Sequence, residues 1–515
     1  MHFLESKSKY LEYIAVLFAV FYFAAVAKNQ ITVYKSDFWV NDDFRNVSFL
    51  LKSLRNPNLF KGDFFAQCSK KLAPTGWKAV YYLVAKTNIS FILASKIISH
   101  FLYFVSVFLV FFIGKKLGGI MAGAFSLIFF LHNPFFLNRM AGALPRAFFI
   151  PFVLAVIFFM LNENYKISIF LMFLSSLFYP IAFLFNAVFT AVFLFFANIE
   201  RKKEIFAWYF IGIMSAVVLM LFSFYSGKAF DLISYNEACK MKEFYKGGRI
   251  PILPLRNPFL EVFGYFVSSF ERIPEVINYE FPVKIGRFPY LGAVIAMIYV
   301  VFGFTVSNKK KGFLKLFIAF LLPCILLYIL ARLFFFKMYY PYRYLYPLEL
   351  AGVFAGGIFA KELSKNLKIG LLANIVLLFI LFNYTGFKIH PNNGYIKIPF
   401  KEYSDLFEKV KKIPANFIIA GNPYLLDNIP LYTGRRIFAS YEFTIPFFKT
   451  FYKGVKNRNY ENIKTYYSET KNEFIRLCLK NNIDYILIFK YDLVKKYAQA
   501  GVFMQVEPYK TFIYN

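Results

Sequence analysis

Apolar runs separated by short charged joints fill most of the chain. The first, Leu11–Ala27, follows Lys7 and Lys9. Others lie at Lys96–Ile113, Gly118–Leu131, Pro145–Leu161, Ile167–Phe178, Ile181–Ala197, Phe206–Tyr225, Tyr290–Val306, Phe313–Ala331, Tyr344–Ala360 and Ile369–Tyr384. Runs near 20 residues with few interior charges are long enough to cross a bilayer as helices. The pattern predicts a polytopic α-helical membrane protein with about eleven transmembrane helices. With so many spans behind it, the first run reads as an uncleaved helix rather than a leader.

Basic residues in short loops set the direction of crossing. Lys115, Lys116, Lys166, Arg201 to Lys203, Lys309 to Lys311, Lys315, Lys361, Lys365 and Lys368 fall on one side. The short turns of the other side hold Arg139, Arg146, Arg332, Lys337 and Arg343. The bias predicts N-in, C-out in the plasma (cytoplasmic) membrane. Residues 1–385 then form a transmembrane domain with large extracytoplasmic loops at 28–88 and 226–288. Residues 386–515 form an extracytoplasmic α/β domain, in which Asn416–Gly421 and Asp484–Phe489 have buried-strand patterns and Asn472–Leu479 has helical spacing.

Charge sharpens this picture. Sixty Lys and Arg against 29 Asp and Glu give a formal +31 in a chain that is 59% hydrophobic. A soluble nucleic-acid binder would not combine the two, so nucleic acid is not an expected partner. Part of the charge is topological. The rest lies on the outer loops and tail, where phosphate-bearing lipid or an anionic envelope surface suits it. Cys68, Cys239, Cys324 and Cys478 are too scattered for a disulfide framework or a zinc site.

Candidate chemistry gathers in the first outer loop. Asp42 and Asp43 are adjacent carboxylates just beyond the first helix, a pairing that suits a general base or a divalent cation such as Mg or Mn. They also fit a solvated turn with an N-cap before the helical run Phe44–Leu54. Asp63 is a further acid of the same loop. Arg146 and Arg343, with Lys337 near the second, lie on the same membrane face, and Arg forks match phosphate oxygens. Arg249 sits in a basic turn of the second loop. Lys96 and His100 are four apart, hence on one helix face, and Glu349 lies inside a span. Ionisable groups at membrane depth are functional candidates, although Lys96 could also snorkel to the interface.

The layout, with its Asn41-Asp42-Asp43 motif, resembles the integral-membrane C-type (GT-C fold) glycosyltransferase superfamily. LFKGD, ALPRAF and PYRYLYP are similar to stretches of uncharacterised multi-pass bacterial proteins. The resemblance implies transfer of a sugar from a polyprenyl-phosphate donor to an acceptor lipid, glycan or protein outside the cytoplasm. Asp42 or Asp43 would activate the acceptor hydroxyl or hold a metal, with Arg146 and Arg343 on the donor phosphate. The tail has no WWDYG-like motif, which disfavours asparagine-linked transfer. The alternative is a transporter or non-catalytic scaffold for envelope polymers or lipids, against which stands the lack of an internal repeat.

Overall fold

The computed structural model describes residues 2–197, 199, 201–225, 232–250, 252–253, 257, 311–333, 341–364, 394–398, 400–488 and 513–514. Helix α1 (His2–Tyr34) leads through strand β1 (Trp39–Val40) into α2 (Phe44–Arg55), α3 (Phe64–Leu72) and α4 (Thr75–Ala85). The bundle continues with α5 (Phe91–Gly118), α6 (Ile120–His132), α7 (Pro134–Met140), α8 (Phe149–Leu161), α9 (Tyr165–Phe178), α10 (Pro180–Phe196) and α11 (Lys202–Tyr225). A single turn, α12 (Tyr235–Ala238), precedes α13 (Lys311–Leu333) and α14 (Pro347–Ser364). The C-terminal part runs β2 (Ile396–Lys397), α15 (Phe400–Lys411), β3 (Ile418–Gly421), α16 (Pro423–Leu426), α17 (Ile429–Thr433) and β4 (Arg436–Ile437). It ends with α18 (Lys449–Tyr466), α19 (Lys471–Asn481), β5 (Tyr485–Leu487) and β6 (Ile513–Tyr514).

Among the described residues, four segments are long and apolar enough to cross a membrane: Glu12–Tyr34, Phe91–Gly118, Lys202–Met220 and Leu316–Leu333. The α6–α7 pair, bent by 64°, makes a fifth if it counts as one span. Helices α8, α9 and α10 are apolar but have only 13, 14 and 17 residues. Polar Asn162 closes the first of them, and Pro180, which cannot continue a helix, separates the other two. Their bounds follow the runs expected at 145–161, 167–178 and 181–197. The runs expected at 290–306 and 369–384 lie outside the described residues. Phe101, Phe104, Phe108 and Phe112 of α5 and Phe210, Ile211 and Met214 of α11 point outward and exposed. Apolar faces of this extent are stable against lipid rather than water, and the chain is a membrane protein.

The C-terminal part is a four-stranded sheet in the order β4-β3-β5-β6. Strands β3, β4 and β5 are parallel, with Ile419 opposite Tyr485, and β6 pairs antiparallel to β5. Parallel strands need crossovers, which α16 and α17 supply between the neighbours β3 and β4, and α18 and α19 from β4 to β5 on the far side of β3. This sheet does not stand apart from the first loop. Trp39 and Val40 of β1 pair antiparallel with Lys397 and Ile396. Phe49, Phe60 and Phe65 complete a hydrophobic core with Phe407, Ile419, Leu426 and Phe443. Helix α2 turns Phe49 into that core, where its ring lies 5.0 Å from Phe60 and 5.8 Å from Phe443. Burying these rings fastens the first loop to the C-terminal layer and so fixes the joint between β1 and α2 that carries Asp42 and Asp43.

Candidate functional site

Asn41, Asp42 and Asp43 form the joint between β1 and α2. Asn41 is buried, and its Nδ2 donates to the Gly394 carbonyl at 2.6 Å. The turn 141–143 presses against it from the bundle. Gly142 has φ +78°, and a Cβ there would fall 2.5 Å from Asn41 Cβ, so the approach needs glycine on both counts. Trp77 Nε1 donates to the Ala143 carbonyl at 2.7 Å, and Ala143 N donates to Ser99 Oγ at 2.8 Å. With its base braced on α4 and α5, the joint holds the two following acids in set directions.

Asp43 stands at the N-cap of α2, yet its side chain makes no capping bond. Its Oδ2 accepts from Arg146 Nη1, and Asp42 Oδ1 accepts from Arg45 Nη2. The capping alternative therefore fails for both side chains, whose acceptor oxygens face guanidinium groups. Burial alone would raise the Asp43 carboxyl. The charge and hydrogen bond of Arg146, reinforced by the charges of Arg343 and Arg249, override it and hold the group below the ordinary aspartate value. A depressed carboxyl favours the paired state above the unfolded pKa and loses that contribution as pH falls, so this contact persists at neutral pH and weakens only below about pH 4. The Asp43 side chain is still 44% exposed, open enough to meet a substrate.

Arg146, Arg343 and Arg249, from three separate parts of the chain, thus act on one carboxylate. Arg343 Nη1 donates to Tyr179 OH at 2.9 Å. Arg249 Nη2 donates to Glu442 Oε2 at 3.2 Å. Three neighbours of these acids are not marked by any signal in the sequence: Arg45, Asp427 and Glu442. Arg45, 6% exposed, bridges Asp42 to Glu442 Oε1 at 3.0 Å, and its Nη1 donates to Asn428 Oδ1 at 3.4 Å. Glu442 is 4% exposed. Burial, then repulsion from Asp42 and Asp427, raises it to about 8 against the pull of Arg45 and Arg249. Burial likewise raises Asp427 to about 7, although it accepts from Ser440 Oγ and, at 3.1 Å, from Glu442 N. Glu442 lies 397 residues beyond Arg45 in an unremarkable SYEFTI stretch, so no local signal marks it.

The remaining candidates have other places. Lys96 is only 1% exposed and its Nζ donates to the Ser36 carbonyl at 2.8 Å, so it does not snorkel to water but braces the chain leading into the first loop. His100 Nδ1 lies 2.8 Å from the Lys96 carbonyl, and the ring runs nearly parallel to Tyr395. Glu349 is buried and accepts from Asn133 Nδ2 at 3.0 Å. Asp63 caps α3 by accepting from Ala66 N at 2.9 Å, and burial pushes its carboxyl up. Lys337 lies outside the described residues. No group of three or more His, Cys, Asp or Glu able to hold a metal occurs among the described residues. With Asp42 and Asp43 each facing a guanidinium, these residues do not fit a cation cage.

The fold of this chain, a helical membrane bundle under an α/β C-terminal layer, is similar to that of a solved archaeal oligosaccharyltransferase. Solved structures similar to this chain include the oligosaccharyltransferase of the archaeon Archaeoglobus fulgidus. Its form tethered to an acceptor peptide containing the NVT sequon matches with TM-score 0.52 and 12% identity over 92% of this chain and 69% of that one. Its complex with Zn and sulfate matches with TM-score 0.51 and 11% identity over 96% and 70%. Its complex with an inhibitory peptide and a dolichol-phosphate matches with TM-score 0.52 and 12% identity over 96% and 71%. No family model and no curated protein matches the sequence.

Proposed function

We propose that this chain is a membrane glycosyltransferase that moves a sugar from a polyprenyl-phosphate donor to a hydroxyl of an extracytoplasmic lipid, glycan or protein. The observation that carries this reading is the convergence of Arg146, Arg343 and Arg249 on Asp43, at the joint between bundle and C-terminal layer. The fold adds support, since a neighbour of the same fold has been solved with a dolichol-phosphate. In the N-in, C-out topology the site faces outward from the plasma membrane.

The acceptor oxygen bonds to the anomeric carbon as the bond from that carbon to the donor phosphate breaks, and the electron pair leaves with the phosphate. Guanidinium forks suit the charge that develops there. Asp43 takes the hydroxyl proton. Held by Arg146, the carboxylate is a weak base. A donor phosphate competes for the same guanidinium, so donor arrival frees Asp43 and raises its proton affinity, making donor-first binding the productive order.

The test is transfer by the full chain in proteoliposomes supplied with polyprenyl-phosphate-linked sugars and candidate acceptors. The expected result is release of polyprenyl phosphate matched to glycosylated acceptor. Movement of lipid or polymer across the membrane with no release of polyprenyl phosphate overturns the reading in favour of a transporter.

A further inference from the structure

Beside the acids, the C-terminal layer presents an aromatic platform that the transfer chemistry leaves unused. Tyr424 of α16 and Tyr441, beyond β4, stack with ring centroids 4.1 Å apart and planes at 27°. Tyr424 is 49% exposed although it is a large apolar ring. The Arg249 guanidinium lies over Tyr441 at 4.1 Å, donates to its hydroxyl at 2.9 Å and also reaches Glu442. The backbone around Tyr424 is held too. Its N–H donates to Asn422 Oδ1 at 2.9 Å, and its carbonyl accepts from Asn428 Nδ2 at 3.2 Å. Asn428 in turn accepts from Arg45, the residue bonded to Asp42.

Keeping such a ring in water forgoes the free energy of its burial, while ordering it from both sides removes the entropy cost of later contact. Tyrosine combines a flat apolar body with a polar tip and loses little freedom on binding. A pyranose ring has the matching character: one face of C–H groups to lie on the aromatic plane and a rim of hydroxyls to meet a guanidinium and a phenol. Arg249 connects the two regions, since its charge reaches Asp43 while its nitrogens hold Tyr441 and Glu442.

We infer that the exposed ring of Tyr424, backed by Tyr441 and Arg249, forms a pyranose-binding platform that seats a sugar ring of the acceptor or of the donor beside Asp43. This rests on the glycosyltransferase reading for its role in turnover, but the binding itself can be tested apart from it. Saturation-transfer NMR on the full chain in detergent, with methyl glucoside, galactoside and mannoside as probes, should show transfer to at least one of them. The signal should persist in Tyr424→Phe and disappear in Tyr424→Ala, whose exposed position spares the fold. Absence of saturation transfer to all three, or a signal unchanged in Tyr424→Ala, overturns the platform whether or not the chain transfers sugar.

In the transfer assay, Tyr424→Ala should raise one KM by about tenfold, the loss of a contact worth roughly 1.4 kcal/mol, with kcat little changed. A rise in the acceptor KM identifies the acceptor sugar as the occupant, and a rise in the donor KM identifies the donor sugar. A variant that alters KM only for an acceptor whose sole ring is an aromatic side chain contradicts the sugar assignment.

Discussion

Above about pH 8, where Glu442 carries its charge, replacing Arg45 with alanine is expected to lower stability by roughly 3–5 kcal/mol, the usual consequence of removing one member of a buried ionic cluster. Arg45 is one of two guanidinium groups on the buried Glu442, and it alone links that carboxylate to Asp42 of the first loop among the bonds described. Without it, Glu442 keeps Arg249 but faces Asp42 and Asp427 with half of its compensation gone. The seam between first loop and C-terminal layer should then open before the bundle melts, visible as an early transition in thermal unfolding and as new protease sites near Asn58 and Gly434. Glu442→Gln in the same chain removes the stranded charge and should recover part of the loss, so the double variant should be less destabilised than the sum of the singles. Simple additivity would show that the two groups do not act as a pair.

The second large effect concerns Arg146. Arg146→Ala should cut kcat/KM by roughly 10²–10³-fold, the range seen when one preorganised donor to a developing anion is removed. It should also move the pH profile in a defined direction. Asp43 is pushed up by burial and pulled down chiefly by Arg146, so without that guanidinium the burial effect is opposed only by Arg343 and Arg249 and the carboxyl pKa rises. The acid limb of the remaining activity should therefore shift to higher pH. Arg146→Lys retains the charge but loses the fork, and should restore the acid limb more fully than the rate. A lowered rate with an unmoved acid limb would separate Arg146 from Asp43.

The extent to which these features were readable in advance follows from the range of the interactions involved. Helix α2 announced itself through local periodicity, and strands β3 and β5 through short apolar runs between polar ones, because such signals are written within ten residues. Asp43, Arg146, Arg343 and Arg249 were selected for residue type and predicted depth, and the structure brings their charges together. The same reasoning made candidates of Asp63 and Lys96, which the fold uses as a helix cap and a brace. Residue type cannot distinguish these uses, since a carboxylate that accepts a backbone N–H and one that awaits a substrate look alike in a sequence. Arg45, Asp427 and Glu442 were beyond reach because their meeting depends on tertiary packing of Phe49 and Phe65 against Phe443. The bounds of α8, α9 and α10 were legible as well, because Asn162 and Pro180 interrupt the apolar runs in the sequence itself.

In the proposed transfer the first-loop carboxylate Asp43 takes the proton of the acceptor hydroxyl. Asp43→Asn keeps the shape of the side chain and an oxygen for Arg146 but cannot take a proton at neutral pH. Its rate of transfer from a polyprenyl-phosphate sugar, compared with the unaltered chain at equal membrane insertion, should fall by roughly 10²–10⁴-fold. Transfer at an unchanged rate by Asp43→Asn would rule out Asp43 as the base.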